Sequence, residues 1–98
     1  MAVYVTLYRY TDQGKRGIGN AVELAKRWQA EADRRGVRVH ALYWLQGCYD
    51  AVTIIESSDD DTVTALLLSI GAEGSLQTET MRAYSADDMA RILGKLAQ

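Results

Sequence analysis

Four segments of the chain alternate apolar and polar residues, and a period of two is typical of β-strands with one covered face. In the first segment, Val3, Val5 and Leu7 alternate with tyrosine and threonine. Turn-forming residues, beginning with Thr11-Asp12-Gln13-Gly14, end that alternation. The pattern predicts strands over residues 2–10, 37–46, 49–56 and 75–84.

Three other segments place apolar residues at helical spacing, and each has a pair of polar residues, three positions apart, at its start. Such pairs are typical of helix N-termini, and they are Asn20 with Glu23, Ser58 with Asp61, and Ser85 with Asp88. Gly36 and the segment from Gly71 to Gly74 are the predicted stops of the first two helices. The predicted apolar stripes are Ala21, Leu24, Ala25, Trp28 and Ala32, then Val63, Leu66, Leu67 and Ile70, then Met89, Ile92, Leu93 and Leu96.

The resulting order is β-α-β-β-α-β followed by a C-terminal helix. With short connections and right-handed crossovers, this order predicts an α+β, ferredoxin-like fold. Its four-stranded antiparallel sheet would carry the helices on one face. At 98 residues the chain has room for one hydrophobic core, so we expect a single domain over residues 1–98.

The segment Gly47-Cys48 suits a two-residue hairpin, which would pair Gln46 with Tyr49 and Trp44 with Ala51. The same register pairs Leu42 with Thr53 and His40 with Ile55. We expect the aliphatic residues Val3, Val5 and Leu7 to face the helices. Asp50 would lie on the helical side. The residues on the opposite, open face of the sheet would then be Tyr4, Thr6, Tyr8, His40, Leu42, Trp44, Tyr49 and Thr53.

The charge and hydropathy of the chain argue against nucleic acids and membranes as partners. The formal net charge of -2 provides no basic field for nucleic acid. No apolar segment is long enough to cross a membrane, and the start of the chain has no secretory signal pattern. The single cysteine, Cys48, cannot form an intramolecular disulfide, which fits a reducing compartment. We therefore expect a cytoplasmic protein that binds neither nucleic acid nor membranes.

The predicted hairpin contains Gly47-Cys48-Tyr49-Asp50, and it is flanked along the chain by Tyr4-Val5-Thr6-Leu7, Tyr10-Thr11-Asp12-Gln13-Gly14, Tyr43-Trp44 and Thr78-Glu79-Thr80-Met81-Arg82-Ala83-Tyr84. Together these stretches resemble the GYD-domain family, named for a Gly-x-Tyr-Asp signature. The resemblance implies a dimeric α/β-barrel type of fold and no established catalytic residues. The hairpin is also similar to one in the ligand-sensing domain of leucine-responsive transcription regulators, which binds small metabolites between subunits. This chain lacks the DNA-binding helices of those regulators.

The open face predicted above is too apolar to remain in water and too polar for an ordinary core. It suits a sheet that packs against the sheet of a second copy around a partly polar cavity. The residues that we expect to bind a ligand there or nearby are Tyr4, Tyr8, His40, Trp44, Tyr49, Asp50 and Glu79. Each also has a structural interpretation: interface packing for the aromatic residues and His40, turn formation for Asp50, and a cross-strand pair for Glu79.

No group of side chains has metal-ligand spacing, so we predict no metal and no cofactor. The hypothesis that these observations favour is a homodimeric or larger module that binds a small metabolite between facing sheets. One alternative is a cofactor-free enzyme of the monooxygenase or isomerase type that uses His40, Tyr49 and Asp50 or Glu79. Another is a purely structural assembly unit. A catalytic site normally shows several convergent titratable groups, and their scarcity here favours binding over catalysis.

Overall fold

The computed structural model describes residues 1–96 and consists of one sheet, four α-helices and a short 3-10 turn. In chain order the elements are β1 (Ala2–Tyr10), α1 (Asp12–Arg16), a 3-10 turn (Ile18–Asn20), α2 (Ala21–Arg34), β2 (Arg38–Trp44), β3 (Ala51–Ser57), α3 (Asp60–Ala72), β4 (Leu76–Ala83) and α4 (Ala86–Leu93).

The four strands form an antiparallel sheet in the order β2-β3-β1-β4. Helices α2 and α3 pack on the same side of the sheet, and together with the strand order they give the predicted α+β, ferredoxin-like fold. The four predicted strands and the three predicted helices are all present, and most of their ends lie within two residues of the predicted bounds. The predicted fold class is therefore confirmed.

The helix starts are less well predicted than the helices themselves. The capping box of Ser85 and Asp88 is present at the start of α4. The Asn20 side chain makes no cap hydrogen bond, and Asp59 rather than Ser58 caps α3 by accepting from two backbone N–H groups. Thr11 also caps a helix, α1, where the sequence suggested only a turn. That helix is a single turn containing Gly14, so it carries no apolar stripe from which to predict it.

The core lies between the sheet and helices α2 and α3. Its buried residues are Tyr4, Ala32, Val37, Ile55, Val63, Leu66 and Ile70, with Trp28 and Leu67 partly buried against them. The apolar stripes predicted for α2 and α3 therefore face the sheet. The stripe of α4 does not join this core, because no α4 residue is among the buried ones and Met89 and Leu93 are exposed.

The prediction of which sheet face carries the helices is wrong. Paired residues share a face, and three rows of pairs lie under the helices: Trp44-Ala51-Tyr8-Thr78, Leu42-Thr53-Thr6-Thr80 and Val39-Ile55-Tyr4-Arg82. Tyr4 belongs to the core, and Thr6 is fully buried. The aliphatic residues Val3, Val5 and Leu7 lie instead on the open face.

The open face consists of the alternate rows. They are Tyr43-Val52-Leu7-Glu79, Ala41-Ile54-Val5-Met81 and Arg38-Glu56-Val3-Ala83. The first two rows form a nearly continuous apolar surface of aliphatic side chains and one tyrosine, which we call the aliphatic patch: Leu7, Val5, Val52, Ile54, Tyr43 and Met81. Because both faces of the sheet are rich in apolar atoms, alternation could reveal the strands but not which face is covered.

The hairpin register is confirmed near the turn and wrong farther away. Trp44 pairs with Ala51 and Leu42 pairs with Thr53, as predicted. Leu45 N–H donates to the Asp50 carbonyl at 2.9 Å, so the connection is longer than the predicted two-residue loop. Gly47 has φ +127°, a conformation that favours glycine. A register shift between Val39 and Ala41 makes His40 the extra residue of a bulge, so Ile55 pairs with Val39 instead of His40.

Candidate functional site

The predicted ligand-binding residues do not lie on one face. Tyr4, Tyr8 and Trp44 lie beneath the helical layer, whereas Glu79 lies on the open face. Tyr49 contacts Glu79 from the β2–β3 connection. The structure therefore divides the predicted set into an aromatic group under the helices and a polar group at the open face. His40 lies at the bulge of β2, and Asp50 directly precedes β3.

Two members of the aromatic group, Tyr8 and Trp44, line a cavity of about 70 Å³ between α2, α3 and the sheet. Its floor contains Tyr8 and Thr53, and both tryptophans of the chain, Trp28 and Trp44, form part of its wall. Other lining residues are Ala21, Leu24, Ala25, Gln29, Leu42, Leu67 and Leu76. The wall is almost entirely apolar, which is the usual character of a small-molecule cavity.

Two hydrogen bonds order the polar atoms at this cavity. The hydroxyls of Tyr8 and Thr53 share one at 2.9 Å, and Trp44 Nε1–H donates to the Tyr10 hydroxyl at 2.9 Å. Trp44 is 45% exposed, so its indole stands at the border between the cavity and solvent. A ligand entering here would meet aromatic faces and a few oriented hydroxyl groups.

Burial raises the pKa of the Tyr8 hydroxyl above its ordinary value, because a phenolate would lose its hydration beneath the helices. Hydrogen bonds from Thr53 and Thr6 act in the opposite direction and are weaker. Tyr8 is therefore a neutral hydroxyl at physiological pH. It can orient a polar group of a ligand, but it is poorly suited to act as a base.

Tyr4 lines a different depression, an open groove between α3 and β4 that also contains Val63, Leu67 and Leu68. The Tyr4 hydroxyl is buried and has no hydrogen-bond partner among residues 1–96. The guanidinium of Arg82 lies 5.7 Å from the centre of the Tyr4 ring. Tyr4 and Tyr8 therefore line different depressions, although they lie on the same strand and the same face.

The polar group at the open face is built around Tyr49. Its hydroxyl donates to Glu79 Oε2 at 2.7 Å, and the Arg9 guanidinium lies 4.5 Å from the centre of its ring. Arg9 also donates to the Cys48 carbonyl at 2.9 Å, which ties β1 to the hairpin connection. The hydrogen bond to the Glu79 carboxylate raises the pKa of Tyr49, because ionisation of the phenol would remove the donor.

His40 and Glu56 form a separate pair, with 2.6 Å between His40 Nε2 and Glu56 Oε1. His40 lies at the bulge of edge strand β2 and is exposed, so it is not beneath the helices. Asp50 accepts a hydrogen bond from the Tyr10 backbone N–H at 2.9 Å. This contact matches the structural role predicted for Asp50, although the donor comes from β1 rather than from the hairpin.

Cys48 is a free, exposed thiol in the hairpin connection. Within residues 1–96, no group of three or more histidine, cysteine, aspartate or glutamate side chains is placed to hold a metal ion. No helix in the described part of the chain is long and apolar enough to cross a membrane.

Sequence reasoning missed several residues of both groups. Trp28 was expected to be only a core residue, although it lines the cavity, and Tyr10 was not expected to contact Trp44. Arg9 was not singled out, although an arginine at the end of β1 beside a hairpin tyrosine could have indicated a cation–π pair. The signal was available for Arg9 because the bounds of β1 and the position of the hairpin between β2 and β3 were predicted correctly.

Comparison with known proteins agrees with the resemblance seen in the sequence. A family model for the GYD domain matches residues 4–93. The chain belongs to the GYD-domain family. A relative from Thermus thermophilus, named a glutamine synthetase and cystathionine beta-lyase binding protein, is 33% identical over 90 residues, which cover 91% of this chain and 95% of the relative.

Two solved structures share the fold of this GYD-domain protein. FFRP-DM1 aligns with a TM-score of 0.62 and 20% identity, covering 86% of this chain and 100% of that one. TTHA0845 from Thermus thermophilus aligns with a TM-score of 0.60 and 24% identity, covering 88% of this chain and 96% of that one. At these identities the likeness concerns the fold.

Proposed function

We propose that this GYD-domain protein is a non-catalytic, self-associating binding module whose open sheet faces pack together in a homodimer. The observation that carries the proposal is the aliphatic patch. In its two rows, Val5 and Leu7 at the centre are flanked by Ile54 and Val52 on one side, with Met81 beyond Val5. Tyr43 is 64% exposed and Met81 is 44% exposed in the single chain.

The surroundings of the patch have the character of an interface rim. Glu79 ends one row, and Arg38 and Glu56 lie in the third row. An apolar centre with charged groups at the border is typical of a surface that binds another protein. A solvent-exposed sheet face would instead carry polar residues at alternate positions of its central strands. Burial against a second copy accounts for the aliphatic residues on the central strands β1 and β3.

A sedimentation or light-scattering experiment at micromolar concentration tests this contact. We expect the wild type to be dimeric and Ile54→Glu to be monomeric, since a carboxylate at the patch centre would be buried without a partner. Leu68→Glu is the matched control, because Leu68 is 69% exposed on α3, on the opposite side of the sheet. A monomeric wild type, or a dimer that Ile54→Glu leaves intact, would contradict the proposal.

The relative's name supports a further part of the proposal, that the module binds another protein. That relative is described as a binding protein for two enzymes. In this interpretation the dimer presents two identical surfaces. A partner with repeated subunits could contact both surfaces at once, so the dimer would bind it more tightly than a single copy of the chain would. Purified glutamine synthetase and cystathionine beta-lyase from the organism that encodes this chain are the direct probes. Absence of binding to both, measured by interferometry with the dimer immobilised, would leave the module without this role.

The arrangement of titratable side chains favours binding over catalysis. The His40–Glu56 pair and the Tyr49–Glu79 pair lie at opposite ends of the open face. Glu56 is in the row of Val3 and Glu79 in the row of Leu7, which are about 13 Å apart along β1. Groups at that separation in one copy do not share a substrate atom, whereas acid–base catalysis needs them within hydrogen-bond reach.

A second function, binding of a small metabolite, is supported by the cavity beneath α2. The space between facing sheets was the predicted location, but it would be lined mainly by aliphatic side chains. The cavity offers Tyr8, Trp44 and Thr53 instead, so a small, mostly apolar molecule with one polar group fits it better. Because Trp28 and Trp44 both line it, their fluorescence reports occupancy.

Titration with xenon tests this second function, because xenon quenches tryptophan fluorescence and is small enough for a cavity of about 70 Å³. We expect saturable quenching of tryptophan fluorescence and a rise in melting temperature, both lost when Leu24→Trp fills the cavity. The variant Leu68→Trp is the control for an added tryptophan on the exposed helical surface. Unsaturable quenching that is equal in the filled variant would contradict a binding site here.

A further inference from the structure

Helix α4 is amphipathic, and its apolar side is largely uncovered, with only Ile92 half-buried. Met89 is 41% exposed, Leu93 is 53% exposed and Leu96 is 78% exposed, and they recur with Ile92 at the spacing of one helical face. The helix has no extended contact with another element among residues 1–96. Its opposite side carries Asp87 and Arg91, as a solvent-exposed side would.

Helix α4 is too short to be stable on its own. It has eight residues, and isolated helices below about 12 residues are marginal in water even with good helix-forming residues. The capping box at Ser85 contributes about 1 kcal/mol, which does not offset this cost. A helix that depends on tertiary packing and has an uncovered apolar side requires a partner surface.

The chain is elongated, which fits a helix α4 that has no extended contact with the other elements. The radius of gyration is 15.1 Å, whereas a compact domain of this length has about 13 Å. The longest dimension is 53 Å, against 19 Å for the shortest. An extended C-terminal element that is apolar on one side is better suited to contact a second copy than its own subunit.

The apolar side of α4 lies close along the chain to the aliphatic patch. Met81 belongs to the patch, Ala83 is on the same face, and only Tyr84 and Ser85 separate β4 from α4. Tyr84 is 51% exposed. A second copy seated on the patch is therefore within reach of α4 at the edge of the sheet.

We propose that α4 packs its apolar side, formed by Met89, Ile92 and Leu93 and continued by Leu96, on the second copy of the chain that covers the aliphatic patch. This inference rests on the proposed self-association and adds a second contact to it. By twofold symmetry each copy gives one helix and receives one. The dimer then buries both apolar surfaces that the single chain leaves open.

Dimer dissociation constants measured by sedimentation equilibrium test the inference in the full chain. We expect Leu93→Glu to weaken the dimer by about 10-fold or more, as the loss of a buried apolar anchor does. Ala90→Glu is the matched control, because it adds the same charge to the same helix outside the apolar side. We expect it to stay within about twofold of the wild type. Equal constants for Leu93→Glu and Ala90→Glu would overturn the inference while leaving the sheet contact in place.

Hydrogen exchange of the α4 amides gives an independent readout. In the wild-type dimer we expect these amides to be protected, and in monomeric Ile54→Glu we expect at least about 10-fold faster exchange, since the helix loses its partner surface. The substitution lies on β3, outside α4. Unchanged α4 exchange would show that the helix packs within its own subunit and would overturn the inference. If Ile54→Glu remains dimeric, the sheet contact is wrong and the α4 inference falls with it.

Discussion

The two faces of the sheet differ in a way that reverses the simple expectation. The face under the helices carries hydroxyl groups at its centre, where Thr6 and Thr53 are buried. The face without helices carries Val5, Leu7 and Ile54 on the same central strands. The polarity of a face therefore does not reveal which side the chain's own helices cover. This difference is expected when a second copy covers the other side.

Apart from the Tyr4 hydroxyl, which has no partner among residues 1–96, the covered face tolerates its buried hydroxyl groups because they bond to one another. Thr6 Oγ1 lies 2.9 Å from Thr80 Oγ1, and the Tyr8 hydroxyl lies 2.9 Å from Thr53 Oγ1. Buried polar atoms cost little when they are paired, and a great deal when they are not. Two such pairs across three strands also fix the register of the sheet, which aliphatic contacts alone specify less strictly.

The largest expected contrast between the faces is between two neighbouring residues of β3. Ile55 is 3% exposed in the core, and Ile54 is 37% exposed on the open face. Ile55→Ala should lower the free energy of unfolding by about 2–5 kcal/mol, because it removes buried methyl groups and leaves a cavity. Urea unfolding at submicromolar protein concentration, which favours the monomer, measures this loss.

Ile54→Ala serves as the matched substitution for Ile55→Ala. At low concentration it should change the free energy of unfolding by less than about 1 kcal/mol, since its side chain is already partly in water. At high concentration its effect should grow, because the dimer stabilises the folded chain by mass action. Equal losses for the two variants at every concentration would mean that the faces do not differ in this way.

The second contrast removes one hydroxyl from each face. Tyr8→Phe leaves Thr53 Oγ1 without its partner beneath the helices and should cost about 1–2 kcal/mol of unfolding free energy. Tyr43→Phe removes a hydroxyl from an open-face residue that is 64% exposed and should cost almost nothing. Thermal or urea unfolding of both variants measures the difference.

A double-mutant cycle isolates the hydroxyl pair. Combining Tyr8→Phe with Thr53→Val removes both polar atoms, so the double variant should be less destabilised than the sum of the single variants. Strict additivity would show that the two hydroxyls are not coupled. The cavity beneath α2 would then have a less ordered floor than the 2.9 Å contact indicates.

Much of the fold was predictable because local patterns encode it. The alternation in β1 predicted its bounds, Ala2–Tyr10, and a hairpin placed at Gly47-Cys48 predicted the pairing of Trp44 with Ala51. The bulge at His40 was not predictable, because nothing in an alternating segment marks where one residue will be left out of the ladder. The single-turn helix α1 also leaves no periodic signal.

The candidate site was harder to predict, because its location depends on which sheet face is covered. The aromatic residues Tyr8 and Trp44 were correctly grouped with each other and with Thr53, since strand pairing places them on one face. They were assigned to the wrong side of the sheet, because Val3, Val5 and Leu7 looked like the natural core set. A rule based on polarity fails for a sheet with two apolar faces.

The third contrast concerns the pH dependence of stability. Burial raises the folded-state pKa of Tyr8 above its ordinary value of 10.0, so the folded chain keeps this proton at a pH where the unfolded chain has lost it. Below about pH 10, ionisation of Tyr8 should therefore not change the unfolding free energy. As pH rises above about 10, the unfolding free energy should fall by at most about 1.4 kcal/mol per pH unit, the limit for one proton. Urea unfolding between about pH 9 and 11 should show a shallower fall in Tyr8→Phe. A slope equal to that of the wild type would mean that Tyr8 ionises as freely in the folded chain as in the unfolded one.

The smallest expected effect is at the open face, where Tyr49 also has a raised pKa but for a different reason. Its main cause is the hydrogen bond to the Glu79 carboxylate. Glu79→Gln should therefore lower the pKa of Tyr49 towards its ordinary value, with little change in stability because the pair is exposed. Tyrosinate absorbance in the near ultraviolet, with Tyr49→Phe as the assignment control, follows this titration.

The late titration of Tyr8 should remain in Glu79→Gln, since burial rather than a neighbouring carboxylate causes it. If Glu79→Gln shifted both tyrosines together, the two faces would be electrostatically coupled, and the hydroxyl beneath the helices could not be treated separately from the polar group at the open face.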